Sequence, residues 1–143
     1  MDDLFFVDSN VLLYRRDSSF RIKQKRADEW LHALWERGIG RLSVQVLNEF
    51  YVAVTQKLKP GMAQREAREE VRDFITWKPV PLSSELIERA FEIQSRYKLS
   101  YWDSLIIAAA QVAKCRFLLT EDLQDGQEIS GIKVRNPFEH TPE

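Results

Sequence analysis

Leu4-Phe5-Phe6-Val7-Asp8-Ser9-Asn10-Val11-Leu12-Leu13-Tyr14 begins as an unbroken apolar run and turns polar abruptly at Asp8. Four apolar residues without alternation suit a strand covered on both faces, as in a parallel sheet. Asp-Ser-Asn is a helix-opening signal, so the stretch reads as strand, carboxylate, helix. Arg116-Phe117-Leu118-Leu119-Thr120-Glu121-Asp122 repeats the first half of that order, an apolar run followed at once by acids. Residues 40–43, 78–82 and 132–134 are weaker strand candidates, the second of them interrupted by Pro79 and Pro81. Apolar periodicity predicts helices over 10–16, 20–37, 44–59, 63–75, 84–98 and 101–114. Strands separated by helices of this length imply right-handed crossovers. The expected fold is α/β, a three-layer α/β/α sandwich with a four- to five-stranded parallel sheet.

The remaining composition narrows the chemistry. With 143 residues, five Gly and five Pro scattered as turn marks, and no internal repeat, the chain is expected to form a single domain over 1–143. One cysteine, Cys115, makes neither an internal disulfide nor a thiolate metal site, and a reducing cytoplasm is the expected location. Met1-Asp2-Asp3 is acidic where a signal peptide would be basic, and the longest apolar run, Leu105 to Ala110, is too short to span a bilayer. Only His32 and His140 are imidazoles, which argues against histidine catalysis. The net charge of −1 does not announce a nucleic-acid binder, but its placement is uneven. Arg15, Arg16, Arg21, Lys23, Lys25 and Arg26 form a basic run, read either as a solvated helix face or as a phosphate-tracking patch. Glu121, Asp122, Asp125 and Glu128 form an acidic stretch, and residues 64–73 mix both signs as a solvated helix would.

In an open parallel sheet, ligands bind outside the carboxyl ends of the strands. Asp8 and Asp122 follow the two clearest strands directly. Glu49 lies in the second turn of the helix after the strand ending at Ser43. The helix over 101–114 delivers its C-terminus to the strand at Arg116, so its N-terminus, with Asp103, lies at the opposite edge. All four carboxylates therefore fall on one rim. Each has a plainer role available: Asp8 or Ser9 as a helix cap, Asp103 as the acid of a capping box opened by Ser100, Glu49 as a surface residue pointing roughly 160° from its helix's apolar stripe, Asp122 as a solvated loop acid. As a set they repel one another unless a cation neutralises them, and hard oxygen ligands suit magnesium or manganese. Such a site supports water activation in phosphodiester hydrolysis.

The segments FFVDSNVLLY (Phe5 to Tyr14), LSVQVLNEFY (Leu42 to Tyr51), LSYWDSLIIAAA (Leu99 to Ala110), LLTEDLQDGQ (Leu118 to Gln127) and VRNPF (Val134 to Phe138) together resemble the PIN-domain family, in particular the VapC-like toxins of bacterial toxin-antitoxin pairs. The resemblance implies a Mg2+- or Mn2+-dependent ribonuclease with Asp8, Glu49, Asp103 and Asp122 as catalytic acids. Asp8 and Asp103 would be the metal ligands, with Asn10 and Thr120 supporting them and Arg15 and Arg16 holding flanking phosphates of the RNA. Glu121 and Asp125 stay open as alternatives to Asp122. The resemblance also implies a homodimer and a cognate antitoxin protein as partner.

Two other classes compete. A catalytically silent PIN-like interaction module would share the fold, and a phospho-receiver domain also gathers acids at a sheet edge. The receiver fits less well, since Asp2 and Asp3 precede the first strand instead of ending it. Trp30 and Trp35 read as core or dimer surface, and Cys115 as inert packing. Tyr101 and Trp102, beside Asp103, read either as packing or as rings on which a base stacks.

Overall fold

In the computed structural model, which describes residues 2–142, β1 (Phe5–Val7) runs in the interior of the sheet and hands the chain through Asp8 to α1 (Ser9–Tyr14). Then follow α2 (Arg21–Arg37), β2 (Gly40–Arg41), α3 (Val44–Val52) with a π-helical turn over Ala53–Lys57, α4 (Gln64–Ile75), α5 (Ser84–Tyr97), α6 (Tyr101–Val112), β3 (Phe117–Leu119), β4 (Glu128–Ile129) and β5 (Ile132–Arg135). The strand order is β2-β1-β3-β5-β4. The β1, β2, β3 and β5 pairings are parallel, and β4 pairs antiparallel with β5 at the edge. α1 to α4 pack among themselves, while α6 packs on α5, β3 and β5, which gives the expected three layers. Phe6, Leu12, Leu31, Phe50, Ile107 and Leu118 lie in the core between them.

Three expectations need correction. Residues 78–82 form no strand: Val80 alone bridges Ser43, with Val80 N–H donating to Leu42 O and Val80 O accepting from Val44 N–H at 3.0 Å each, because the flanking prolines have no N–H to extend a ladder. The sheet is not wholly parallel. β4 and β5 form a hairpin whose Ser130-Gly131 turn has positive φ at both residues (50° and 85°), the geometry a two-residue hairpin requires. Nor is α4 merely a solvated helix, since Ala67, Glu70 and Phe74 are buried along one face. Glu70 receives Arg15 Nη2 at 2.8 Å and Arg16 Nε at 2.7 Å, tying α4 to the end of α1.

No helix among the described residues is long and apolar enough to cross a membrane. Cys115 is buried, and burial pushes its thiol up to about 12.

Candidate functional site

The register of the sheet builds the site. Val7 pairs with Leu119, so the residues just past them, Asp8 and Thr120, emerge side by side at the carboxyl edge. Asp8 N–H donates to Leu119 O at 3.1 Å, and Thr120 N–H donates to Arg135 O at 3.1 Å. Thr120 Oγ1 donates to Asp8 Oδ2 at 2.9 Å, while the other carboxylate oxygen caps α1 by accepting from Ser9 N–H at 2.8 Å. Asp8 is thus both the cap of α1 and a member of the edge cluster.

Asn10 sits in the first turn of α1 and faces back across this pair. Its Nδ2 lies 2.9 Å from Thr120 Oγ1, 3.1 Å from Asp122 Oδ2 and 3.4 Å from Asp8 Oδ2. Thr120 Oγ1 also accepts from Asp122 N–H at 3.1 Å, which fixes the backbone carrying that acid. Of the three candidate loop acids, Asp122 is the one that joins this cluster. Glu121 instead accepts from Lys23 Nζ at 2.8 Å, and Asp125 is held by Asn136 N–H at 2.8 Å and His140 Nε2 at 2.9 Å.

Glu49 arrives from α3. Ser43 caps that helix by accepting from Val46 N–H, and one turn later Glu49 Oε1 accepts from Ser9 Oγ at 3.1 Å and Oε2 from Gln45 Nε2 at 3.3 Å. Asp103 occupies the first turn of α6. Ser100 Oγ accepts from Asp103 N–H at 3.1 Å, but the return bond of a capping box is absent and the carboxylate has no hydrogen bond among the described residues. No contact joins it to Asp8. What relates the two is the shared edge, and a cleft that Glu49 lines together with Trp102 and Leu105 on either side of Asp103.

The electrostatics are those of an uncompensated acidic site. Burial pushes the Asp8 carboxyl up to about 7, and the charges of Asp122 and Glu49 add to the rise, against the lowering effect of the Ser9 and Thr120 hydrogen bonds. Asn10 Oδ1 is buried with no hydrogen-bond partner among the described residues. A hard divalent cation fits this donor set: it would relieve the repulsion on Asp8 and satisfy an orphaned oxygen. Among the described residues no three acid, imidazole or thiol side chains converge into a ready-made cage. Asp8 and Asp122 turn toward Thr120 and Asn10 instead.

The basic run is largely engaged within the fold. Arg15 and Arg16 clasp Glu70, Lys23 spans Glu121 and the ring faces of Tyr14 and Phe138, and Arg26 Nη1 reaches His140 O at 3.0 Å. Trp30 is core, its Nε1 donating to Pro137 O and His140 O at 2.9 Å. Tyr101 is half-buried against Phe91, whereas Trp102 stays mostly in solvent.

A model of the PIN domain matches residues 5–124. The chain belongs to the PIN-domain family. No protein of curated function matches it. Solved structures share this PIN domain's fold at low identity. A toxin-antitoxin complex from Klebsiella pneumoniae is 21% identical, covering 92% of this chain and 96% of that one at a TM-score of 0.65. VapBC2 from Rickettsia felis, bound to a DNA fragment from its promoter, is 14% identical, with coverage of 93% and 98% and a TM-score of 0.63. The VapC20 toxin of Mycobacterium tuberculosis, which cleaves the sarcin-ricin loop, is 16% identical, with coverage of 82% and 91% and a TM-score of 0.59.

Proposed function

We propose that this PIN domain is a metal-dependent endoribonuclease, the toxin of a toxin-antitoxin pair, acting in the cytoplasm. The observation that carries the reading is the Asp8 carboxyl at the carboxyl edge of the sheet, pushed up by burial and further by Asp122 and Glu49, beside an orphaned Asn10 oxygen. Family membership supports nuclease chemistry, and the toxin-antitoxin complexes among its fold relatives support the biological role and an antitoxin partner.

In this reading Asp8 and Asp103 hold magnesium or manganese, and Glu49 and Asp122 complete the acidic ring. A bound divalent cation supplies Lewis-acid stabilisation of the phosphate and lowers the pKa of water. Thr120 and Asn10 fix the carboxylates: the threonine hydroxyl aims Asp8, and the Asn10 amide spans Thr120 and Asp122. Ser9 steadies Glu49 from the start of α1.

The purified chain is expected to cleave RNA in magnesium and to stop in EDTA. Asp103→Asn should lower the rate by roughly 100-fold or more with an unchanged circular dichroism spectrum. Cleavage that survives both the chelator and this substitution would overturn the reading. A second reading, a catalytically silent interaction module, is favoured by the lack of a preformed cage among the described residues. It requires that magnesium neither binds the chain nor raises its melting temperature. The same preparation is expected to sediment as a homodimer.

A further inference from the structure

Beside the acids lies a cleft that carboxylate chemistry alone does not call for. It encloses about 420 Å3, within the range of small-ligand sites. Val44, Gln45, Asn48 and Glu49 of α3 form one wall, and Leu82, Trp102 and Leu105 the other. Leu82 and Trp102 are 58% and 63% exposed, an unusual placement for large apolar side chains grouped on one cleft. Glu49 belongs to both places, since it lines this cleft and also accepts from Ser9 at the foot of the Asp8 cluster.

The cleft continues past Asn48. That residue also lines a second, almost wholly apolar groove, with Leu47, Tyr51, Val71 and Ile75. Arg68, at its border, is engaged within the fold, donating to Tyr51 OH at 3.1 Å and to Gln64 Oε1 at 3.3 Å. Within the first cleft a ligand would meet the Trp102 ring together with the side-chain amides of Gln45 and Asn48. A π face and a hydrogen-bonding edge are what an unpaired nucleobase presents.

We propose that Trp102 is the stacking platform for one unpaired nucleobase of the RNA, seated in this cleft beside the acids with its polar edge toward Gln45 and Asn48. The proposal rests on the ribonuclease reading and adds to it the side chain that holds a base next to the acids. Tyr101 offers no free face of its own, because its ring is packed on Phe91 at 5.9 Å and edge-on against Trp102 at 5.5 Å, where it buttresses the platform.

Fluorescence anisotropy of a short labelled oligouridylate, with calcium in place of magnesium, tests the idea. Trp102→Ala should weaken binding roughly 5- to 150-fold, the range for loss of one stacked base, and Trp102→Phe should restore most of it. Scanning a single abasic position along the oligonucleotide should find one site whose loss weakens the wild type but leaves Trp102→Ala indifferent. Equal affinity of the wild type and Trp102→Ala would overturn the proposal. So would a Trp102→Ala that changes only the oligomeric state, since the cleft would then be covered by a second copy. A wild type that binds the oligonucleotide through Trp102 but cuts no RNA in magnesium would overturn the nuclease reading and leave the stacking site standing.

Discussion

Asp8 is held where a carboxylate is poorly tolerated. It is buried and flanked by Glu49 and Asp122, and hydrogen bonds from Ser9 and Thr120 offset only part of that. Residues kept in this condition generally cost stability and serve function. Asp8→Asn should therefore abolish cleavage while leaving the metal-free protein as stable as the wild type, or more stable by on the order of 1 kcal/mol. Magnesium should raise the melting temperature of the wild type and not of Asp8→Asn, as linkage demands of a ligand bound through that residue. Differential scanning fluorimetry with and without EDTA reads both effects. Asp8 was legible in the sequence because an acid directly after an apolar strand can lie nowhere but the sheet edge. Asp122 was not separable there from Glu121 and Asp125, because the choice depends on which acid Asn10, 112 positions away, can reach. Asp103 was placed at the correct edge by topology alone.

At the scale of elements, α4 shows what a helical wheel cannot see. Its mixed charges read as solvent-facing, yet Glu70 is only 6% exposed and neutralises two arginines from the end of α1. Glu70→Ala would leave Arg15 with no counter-charge in a partly buried position, and is expected to cost about 3–5 kcal/mol in urea denaturation. Long-range ion pairs leave no periodic trace, so neither this clasp nor the engagement of Lys23 by Glu121 was foreseeable. The edge hairpin was. Ser130-Gly131 between Glu128-Ile129 and Ile132-Lys133 is a turn dipeptide between apolar residues, masked by the acidic stretch before it. The short strand β2 depends on a close approach: a Cβ on Gly40 would stand 2.4 Å from the Trp77 ring. Gly40→Ala should accordingly destabilise the fold by about 1–3 kcal/mol.

Across the whole molecule, residues 136–140 are fastened to α2 and to the loop after β3. Pro137 and His140 carbonyls accept from Trp30 of α2, and Asp125 gathers Asn136 N–H and His140. The Asn136 hydrogen bond, with help from His140, holds the Asp125 carboxyl below its usual range. A depressed carboxyl contributes stability above its unfolded value near pH 4 and loses it as pH falls through the lower folded value. The acid limb of the stability curve should therefore flatten in Asp125→Asn, measured by denaturant midpoint between about pH 5 and pH 2.

The bond from Thr120 to Asp8 has a consequence in time. It closes a loop across 112 positions, and every other partner of Asp8 except Asn10 and Ser9 comes from that same late segment or from α3. A chain still tethered to the ribosome, with β3 inside the exit tunnel, has no assembled acid cluster beside the RNA that is making it. The order of synthesis thus delays assembly of the site until β3 has left the tunnel.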